Sequence, residues 1–419
     1  MSSAGNIAGI LPHALGNNIF GYVSDDQESL EQQLSLVNRS CNLKLDSRSC
    51  ARLGQVLQTN PSLYQHIQTL RMDHNGCRND LGSSSILAVR DLKQLANLQC
   101  ISLRVNGFMA YKLSWPALHP ELRSALYELL AKPDLIALEL TNIEGIDISF
   151  IGRSRHLKEL VLHGVEHSPS SDPSTPATPL TREDWSLCSL SVGQCGDALQ
   201  CLRTATILPQ PVELKVYWGP YDDKMDMAIK SFSCNVERYE IIWPNYEPSR
   251  LHDGNPHSAP LDFVCFPRLK TLKFGLHFKQ LGDLLHERPP TTTASTEEPL
   301  NFLQQINRLK ESGTNDLESL EILVDLDDPD SIRQFDPYEQ EKMLSSFLLE
   351  GKYFSSWESL DCMLGNEYAF PKLKKVRIGL KSAAVVAPGS KERWDPLVGG
   401  FKATVMPTLT RRLISEVIY

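Results

Sequence analysis

A single spacing of apolar side chains recurs along this chain, and it limits the fold more than any other feature of the sequence. Each copy has an apolar residue, a second one three positions later and a third two positions after that. The second and third positions alternate with mostly polar residues, as in a strand that is buried on one face only. The copies therefore predict short strands that add to one common core. The nine clear copies are Ile67/Leu70/Met72, Leu98/Ile101/Leu103, Leu135/Leu138/Leu140, Leu157/Leu160/Leu162, Leu187/Leu190/Val192, Val236/Tyr239/Ile241, Leu269/Leu272/Phe274, Leu317/Leu320/Ile322 and Leu373/Val376/Ile378.

This spacing is typical of a leucine-rich repeat, in which each unit contributes one strand to a curved parallel sheet and a helix or turn to the outer side. The repetition is strongest between residues 266–274 and 370–378, which both begin with Phe-Pro and match nearly residue for residue. The sequence therefore predicts an α/β fold, a leucine-rich-repeat solenoid with outer helices. Two weaker copies fill long gaps and bring the expected number of units to eleven; they are Pro211/Leu214/Val216 and Trp357/Leu360/Cys362.

Several stretches between the copies have helical spacing, as the outer layer of a solenoid requires. Residues 121–131 place apolar side chains on one face between two prolines, and residues 300–310 and 338–349 follow a similar pattern. The last residues, 408–419, carry Leu409 and other apolar residues at helical spacing. They predict a C-terminal helix that caps the last unit.

The chain divides by pattern into two domains. Residues 1–60 form a small helical module, and residues 61–419 form the divergent repeat solenoid. Three segments near 168–180, 245–262 and 288–299 are rich in Pro, Ser or Thr and have few large apolar residues. Such segments cannot bury enough apolar surface to offset the entropy of ordering, so we expect mobile insertions there.

Composition excludes several classes of function. The chain carries 42 basic and 51 acidic residues, a formal net charge of -9, which disfavours nucleic-acid binding because phosphate neutralisation needs basic excess. Ten cysteines are scattered without a C-x-x-C pair, so reduced thiols are expected rather than a structural zinc site. No secretory signal pattern and no apolar run of about 18 residues is present. We expect a cytoplasmic or nuclear protein that binds neither nucleic acid nor membrane.

Catalytic motifs are absent from the sequence. It contains no nucleophile elbow, phosphate-binding loop, H-E-x-x-H pair or strand-linked G-x-G-x-x-G. The sequence therefore predicts a protein that is not an enzyme and that needs neither a cofactor nor a metal ion.

The residues before the first copy follow a different pattern. Pro12 can begin a helix whose inner face carries Leu15 and Ile19, and residues 30–37 fit a second amphipathic helix. One interpretation is a helical cap, which a solenoid needs to cover the core of its first unit.

Residues 10–40 also resemble the F-box motif, roughly L-P-x-x-L-x-x-x-I-F, a variable turn, and then L-x-x-x-S-L-V-x-R. With the repeats behind it, the chain resembles fungal F-box-like proteins with divergent leucine-rich repeats. In that family, the helical module binds the Skp adaptor of a cullin-RING ubiquitin ligase, and the repeats hold the substrate. The resemblance implies that the adaptor-binding residues are Leu11, Pro12, Leu15, Ile19, Phe20, Leu36 and Val37.

A partner protein is expected on the concave face of the solenoid, because the residues between the buried positions of each strand point there. That stripe is mixed in charge with occasional aromatic residues, which suits a protein partner. Tyr217 and Arg238 are the strongest anchor candidates, since Tyr and Arg dominate interface hot spots. The function expected is substrate recognition for a ubiquitin ligase, and the alternative is a repeat scaffold without ligase association. The partner-binding candidates are Glu139, His163, Lys215, Tyr217, Arg238, Glu240, Lys273, Glu321 and Arg377.

Overall fold

The structure is a computed structural model, and its described residues form two compact units. The first unit comprises residues 1–111 and 117–130, and the second comprises residues 112–116 and 131–419. The structure describes residues 40–44, 47–75, 92–106, 112–169, 187–204, 210–217, 223–242, 263–277, 306, 308–309, 316–325, 345, 354–381, 390–412 and 415–418.

The first unit contains three parallel strands. Strand β1 pairs with β2 and β2 pairs with β3, so that Cys41, Leu70 and Ile101 lie in register and are all buried. Asn75 and Asn106 are also register partners. The elements of this unit are β1 (Ser40–Lys44), α1 (Ser47–Thr59), β2 (Thr69–Asn75), β3 (Cys100–Asn106) and α2 (Pro120–Leu130), with a 3-10 turn at Pro61–Gln65.

The second unit contains a longer run of parallel strands with helices between some of them. Its elements are β4 (Leu113–Ser114), β5 (Ala137–Thr141), β6 (Ile143–Glu144), β7 (Glu159–His163), β8 (Ser189–Gly193), α3 (Gly196–Thr204), β9 (Glu213–Tyr217), α4 (Asp223–Phe232), β10 (Arg238–Ile242), β11 (Thr271–His277), β12 (Ser319–Asp325), α5 (Phe354–Gly365), β13 (Lys375–Lys381), α6 (Ser390–Thr404), α7 (Pro407–Arg411) and β14 (Ser415–Ile418). Strands β4 and β6 form a separate parallel pair.

Strand order in the second unit follows chain order: β5, β7, β8, β9, β10, β11, β12, β13 and β14, each parallel to the next. Parallel neighbours that are consecutive along the chain are the arrangement of a solenoid-like repeat, with which this α/β fold is compatible. All nine clear copies of the apolar spacing coincide with strands of the two units, which confirms that interpretation of the pattern.

The core of the second unit consists of matching positions on successive strands. Leu138, Leu160 and Leu190 are register partners on β5, β7 and β8, and each is at most 2% exposed. Burying one such leucine contributes about 2 kcal/mol of apolar transfer free energy. The column continues through Leu214 and Tyr239, so one buried row crosses the strands and fixes their register.

The two weaker copies have different outcomes. Leu214 and Val216 are fully buried in β9, so the first weak copy is a strand, as predicted. The second copy lies in helix α5, which makes its strand prediction wrong. The spacing of Trp357 and Leu360 fits a helix turn as well as a repeat, and the buried Leu364 continues the helical period whereas Cys362 is exposed.

The prediction of one C-terminal helix over residues 408–419 is also wrong. Helix α7 ends at Arg411, and β14 pairs with β13. Without a further strand, the backbone N–H and C=O groups along one edge of β13 would have no strand partner. The backbone of β14 pairs with them, and β-branched residues such as Val417 and Ile418 favour the strand conformation that this requires.

Other predictions fall on residues that the structure does not cover. Most of the three expected insertions and all of residues 1–39 lie outside the described residues. Within the expected module of residues 1–60, the described elements are strand β1 and helix α1, and β1 pairs with β2. Within the described ranges, no helix has the length and apolar character needed to cross a membrane.

Candidate functional site

The predicted partner-binding residues lie together on the less buried face of the second unit's sheet. On each strand they alternate with fully buried positions; Glu139, for example, stands between Leu138 and Leu140. Their register positions fall in two neighbouring rows, apart from Arg238, which occupies a third row beside them. The seven adaptor-binding candidates lie outside the described residues, and both sets stay predictions.

Five of these residues form a row of alternating charge across β9 to β13, which we call the charge ladder: Lys215, Glu240, Lys273, Glu321 and Arg377. Lys273 Nζ lies 2.8 Å from Glu240 Oε1, and Lys215 Nζ lies 3.6 Å from Glu240 Oε2. Arg377 Nη1 lies 3.5 Å from Glu321 Oε1. Opposite charges directly across neighbouring strands stabilise that pairing. Between β9 and β10, a two-residue shift would place Arg238 beside Lys215 or Glu240 beside Glu213, which are like charges.

A second row of alternating charge lies just before the same strands. Lys270 Nζ is 2.9 Å from Glu237, and Lys374 Nζ is 2.7 Å from Glu318. The hydrogen bond and charge of Lys374 lower the pKa of the Glu318 carboxyl. Charges on β10 to β13 are therefore largely matched within the sheet, and a partner that used them would have to compete with these pairs.

Strand β8 differs from its neighbours because it presents only small residues on this face. We define the β8 trough as a floor of Ser189, Ser191 and Gly193 between two walls. The walls are Glu159, Val161 and His163 on β7 and Glu213, Lys215 and Tyr217 on β9.

An aromatic pair closes one end of the β8 trough. The rings of His163 and Tyr217 come from strands on either side of β8, yet their centroids are 4.2 Å apart, tilted by 56°. They meet above Gly193, where an added Cβ would lie only 2.8 Å from Tyr217 Cβ. His163 Nε2 also lies 3.0 Å from Ser191 Oγ, within hydrogen-bond distance. Glycine fits here because the Cβ and the carbonyl oxygen of Tyr217 approach this position too closely for a further Cβ.

Two glutamates flank Ser189 at the other end. Burial, and then the charge of Glu213, raise the pKa of the Glu159 carboxyl. Burial acts in the same direction on Glu213, but Lys215 and Arg238 outweigh it and hold the pKa of Glu213 below its ordinary value. Arg238 Nη2 lies 3.0 Å from Glu213 Oε2.

The Glu159 carboxylate makes no hydrogen bond or ion pair with any residue that the structure describes. The charge of Lys215 lowers the pKa of Glu159, but burial and Glu213 outweigh it, so a further positive group would be stabilised at this end of the trough.

Sequence reasoning identified His163, Lys215 and Tyr217 but missed the floor of the trough and Glu159. Each strand has three outward positions, and on β7 and β9 the predicted residues come only from the two that follow the second apolar residue. That third position holds Glu159 on β7 and Glu213 on β9. A run of Ser, Ser and Gly on one strand between larger residues was the signal for the floor.

Among the described residues, no three His, Cys, Asp or Glu side chains lie together as metal ligands would. No protein-family model matches the chain, and no curated protein matches it. Function is therefore inferred from the residues themselves.

Proposed function

We propose that this chain is a protein-recognition subunit of a Skp-cullin-F-box ubiquitin ligase and that it holds its substrate on the exposed face of the leucine-rich repeats. The observation that carries the recognition part is the β8 trough. On the less buried sheet face, it combines an aromatic pair, small floor residues and the Glu159 carboxylate, which forms no ion pair among the described residues. Tyrosine beside a groove is the kind of group that anchors protein interfaces.

The charge ladder limits which part of the sheet face can contribute most to binding a partner protein. Paired charges such as Glu240 and Lys273 are already satisfied, so they set strand register and exclude like-charged partners more than they attract one. Binding free energy is expected to come from the trough, where His163 and Tyr217 offer apolar surface and Glu159 offers a carboxylate that forms no ion pair with a described residue.

The ligase part of the proposal is supported by the F-box resemblance of residues 10–40. The fold behind that segment is of the expected α/β class, and a described strand, β1, follows at Ser40. Leucine-rich repeats that follow an F-box present substrates in the family that the chain resembles.

Adaptor association tests the ligase part. Full-length chain and a deletion of residues 1–39 are incubated with purified Skp adaptor, and complex formation is measured by size-exclusion chromatography. The deletion ends before Ser40 because Cys41 and Leu43 are buried in β1, so a longer deletion would remove a strand of the first unit. We expect a complex with the full chain and none with the deletion.

Substitution of Leu15 and Phe20 by Asp in the full chain provides a matched control that keeps the length unchanged. Loss of the complex in this variant and in the deletion supports adaptor binding through the F-box-like segment. If the full chain forms no complex under conditions in which a known F-box protein does, the ligase part fails and the alternative, a repeat scaffold without ligase association, takes its place.

A further inference from the structure

The β8 trough also defines the chemistry of its partner. We propose that it binds an extended protein segment that places an Arg or Lys beside Glu159 and an apolar side chain, four residues along, against His163 and Tyr217. This inference rests on the proposed recognition role of the exposed face and is independent of the adaptor.

The segment would lie across the side chains of the walls, because the floor between them has no long side chains. Ser189 is partly exposed, whereas Ser191 is 7% exposed beneath its neighbours, so the accessible part of the floor is the Ser189 end. The backbone of β8 is paired on both sides, to β7 and to β9. The segment would therefore be held by side chains and not by adding a strand to the sheet.

Charge complementarity selects the basic residue. Around Ser189, Glu213 is matched by Arg238 and Lys215, whereas Glu159 has a half-buried carboxylate without an ion pair among the described residues. Lys215 offsets the charge of Glu159 only in part, so a guanidinium or ammonium group that enters here meets a carboxylate still available for an ion pair. An acidic segment would meet repulsion from both glutamates instead.

The distance between the two ends of the trough sets the spacing of the segment. Glu159 and His163 are four residues apart on one strand, which corresponds to roughly 13 Å of extended chain. An extended partner advances by the same distance over four residues. Residues of that partner at the first and fifth positions point to the same side, so one segment can reach both ends.

Fluorescence anisotropy with short labelled peptides tests this inference on the purified full-length chain. The probe is a Gly-Ser peptide that contains one Arg and one Leu four positions later. Two control peptides replace the Arg by citrulline, which is neutral and of similar shape, or move the Leu one position closer, which turns it to the opposite side. The variants are Glu159→Gln and, as a charge-matched control on the exposed surface of α5, Glu358→Gln.

We expect saturable binding of the probe below about 1 mM and weaker binding of both control peptides. Glu159→Gln should weaken the probe about fivefold, as loss of one partly exposed charge pair implies. Glu358→Gln should leave the dissociation constant unchanged. Equal affinity for the Arg and citrulline peptides, equal effects of the two substitutions, or no binding at 1 mM would each overturn the inference. Circular dichroism confirms that both variants are folded.

Peptide binding and adaptor association test the two proposals separately. Binding of the probe without adaptor association retains the trough and removes the ligase. Adaptor association with failed probe binding removes the basic-segment inference and leaves the ligase proposal in place.

Discussion

Gly193→Ala is the substitution for which the structure gives the sharpest expectation. The added Cβ would lie 2.8 Å from Tyr217 Cβ and 3.2 Å from the Tyr217 carbonyl oxygen, whereas ordinary contacts begin near 3.4 Å. The backbone of β9 or the aromatic pair therefore has to move. Gly193 is not among the residues with positive φ, so backbone strain at this position does not add to the effect.

The size of the effect follows from two opposing contributions. Overpacking of this kind costs about 1–3 kcal/mol. Replacing glycine by alanine returns about 0.4–1 kcal/mol by reducing the entropy of the unfolded chain. The net loss expected for Gly193→Ala is therefore about 1–2 kcal/mol.

Gly275 provides a matched control on β11. An added Cβ there meets Ile241 O at 3.7 Å and Ile242 Cα at 4.0 Å, which are ordinary contacts. Gly275→Ala should therefore be neutral or stabilise the protein by up to about 1 kcal/mol. The two variants differ in sign although the chemical change is the same.

Urea denaturation of both variants measures the difference, with the midpoint shift converted through a shared slope. Tyr217→Gly removes the Cβ that the added methyl group would meet at 2.8 Å, so the cost of Gly193→Ala should shrink in the double variant, a coupling that a double-mutant cycle detects. If Gly193→Ala is as well tolerated as Gly275→Ala, Tyr217 does not approach Gly193 this closely and the geometry of the site is wrong.

Four further predictions concern paired or capping carboxylates and the raised and lowered pKa values of the site. Glu240→Gln should cost about 0.5–1 kcal/mol, because it leaves Lys273 without its partner, and raising the salt concentration should shrink that cost. The buried Asp361 carboxylate accepts two backbone N–H groups at the start of α7, at 2.9 and 3.0 Å, so Asp361→Ala should cost about 2–3 kcal/mol in thermal or urea unfolding. Because the pKa of Glu213 is lowered on folding, its carboxylate stabilises the protein above the ordinary pKa of about 4.3, and the loss from Glu213→Gln should disappear as acid protonates the folded state. The pKa of Glu159 is raised, so Glu159→Gln should stabilise the protein at pH 7, and that gain should vanish below the same ordinary value.

Glu159 is expected to lower the free energy of unfolding at neutral pH, because its pKa is raised in the folded chain. Residues that destabilise the fold in this way are common at ligand-binding sites. If Glu159→Gln both stabilises the fold and weakens binding of the Arg peptide, Glu159 lowers stability in return for affinity.

The strands were predictable because burial on one face imposes a period of two. Leu160 and Val376 belong to copies whose apolar residues all reach the core, and the pattern placed them correctly. The copy at Leu360 failed because a three-residue spacing fits a helix as well as the start of a repeat. Strand β14 gave no signal, since Ser415 takes the place of an apolar residue in register with Val376. Its strand conformation depends on the neighbouring edge and not on local sequence.

The candidate site was predictable in part for the same reason. Alternation placed His163 and Tyr217 on the exposed face, but their contact across β8 depends on Gly193, which no local pattern connects to either ring. The pairing of Lys215 with Glu240 likewise needs the register between strands. Charges that suggested partner contacts in the sequence are bound to one another in the fold.

Photocrosslinking from the wall of the β8 trough tests the central claim, that the exposed sheet face is where a protein partner binds. Benzoylphenylalanine replaces Val161, on β7, in one chain and Glu358, on α5, in another, and both are irradiated in native extract. We expect Val161→benzoylphenylalanine to give a discrete crosslinked species that excess Arg-containing peptide suppresses, and the position on α5 to give none. A crosslink from α5 alone, or identical species from both positions, would contradict the assignment of this face as the recognition surface.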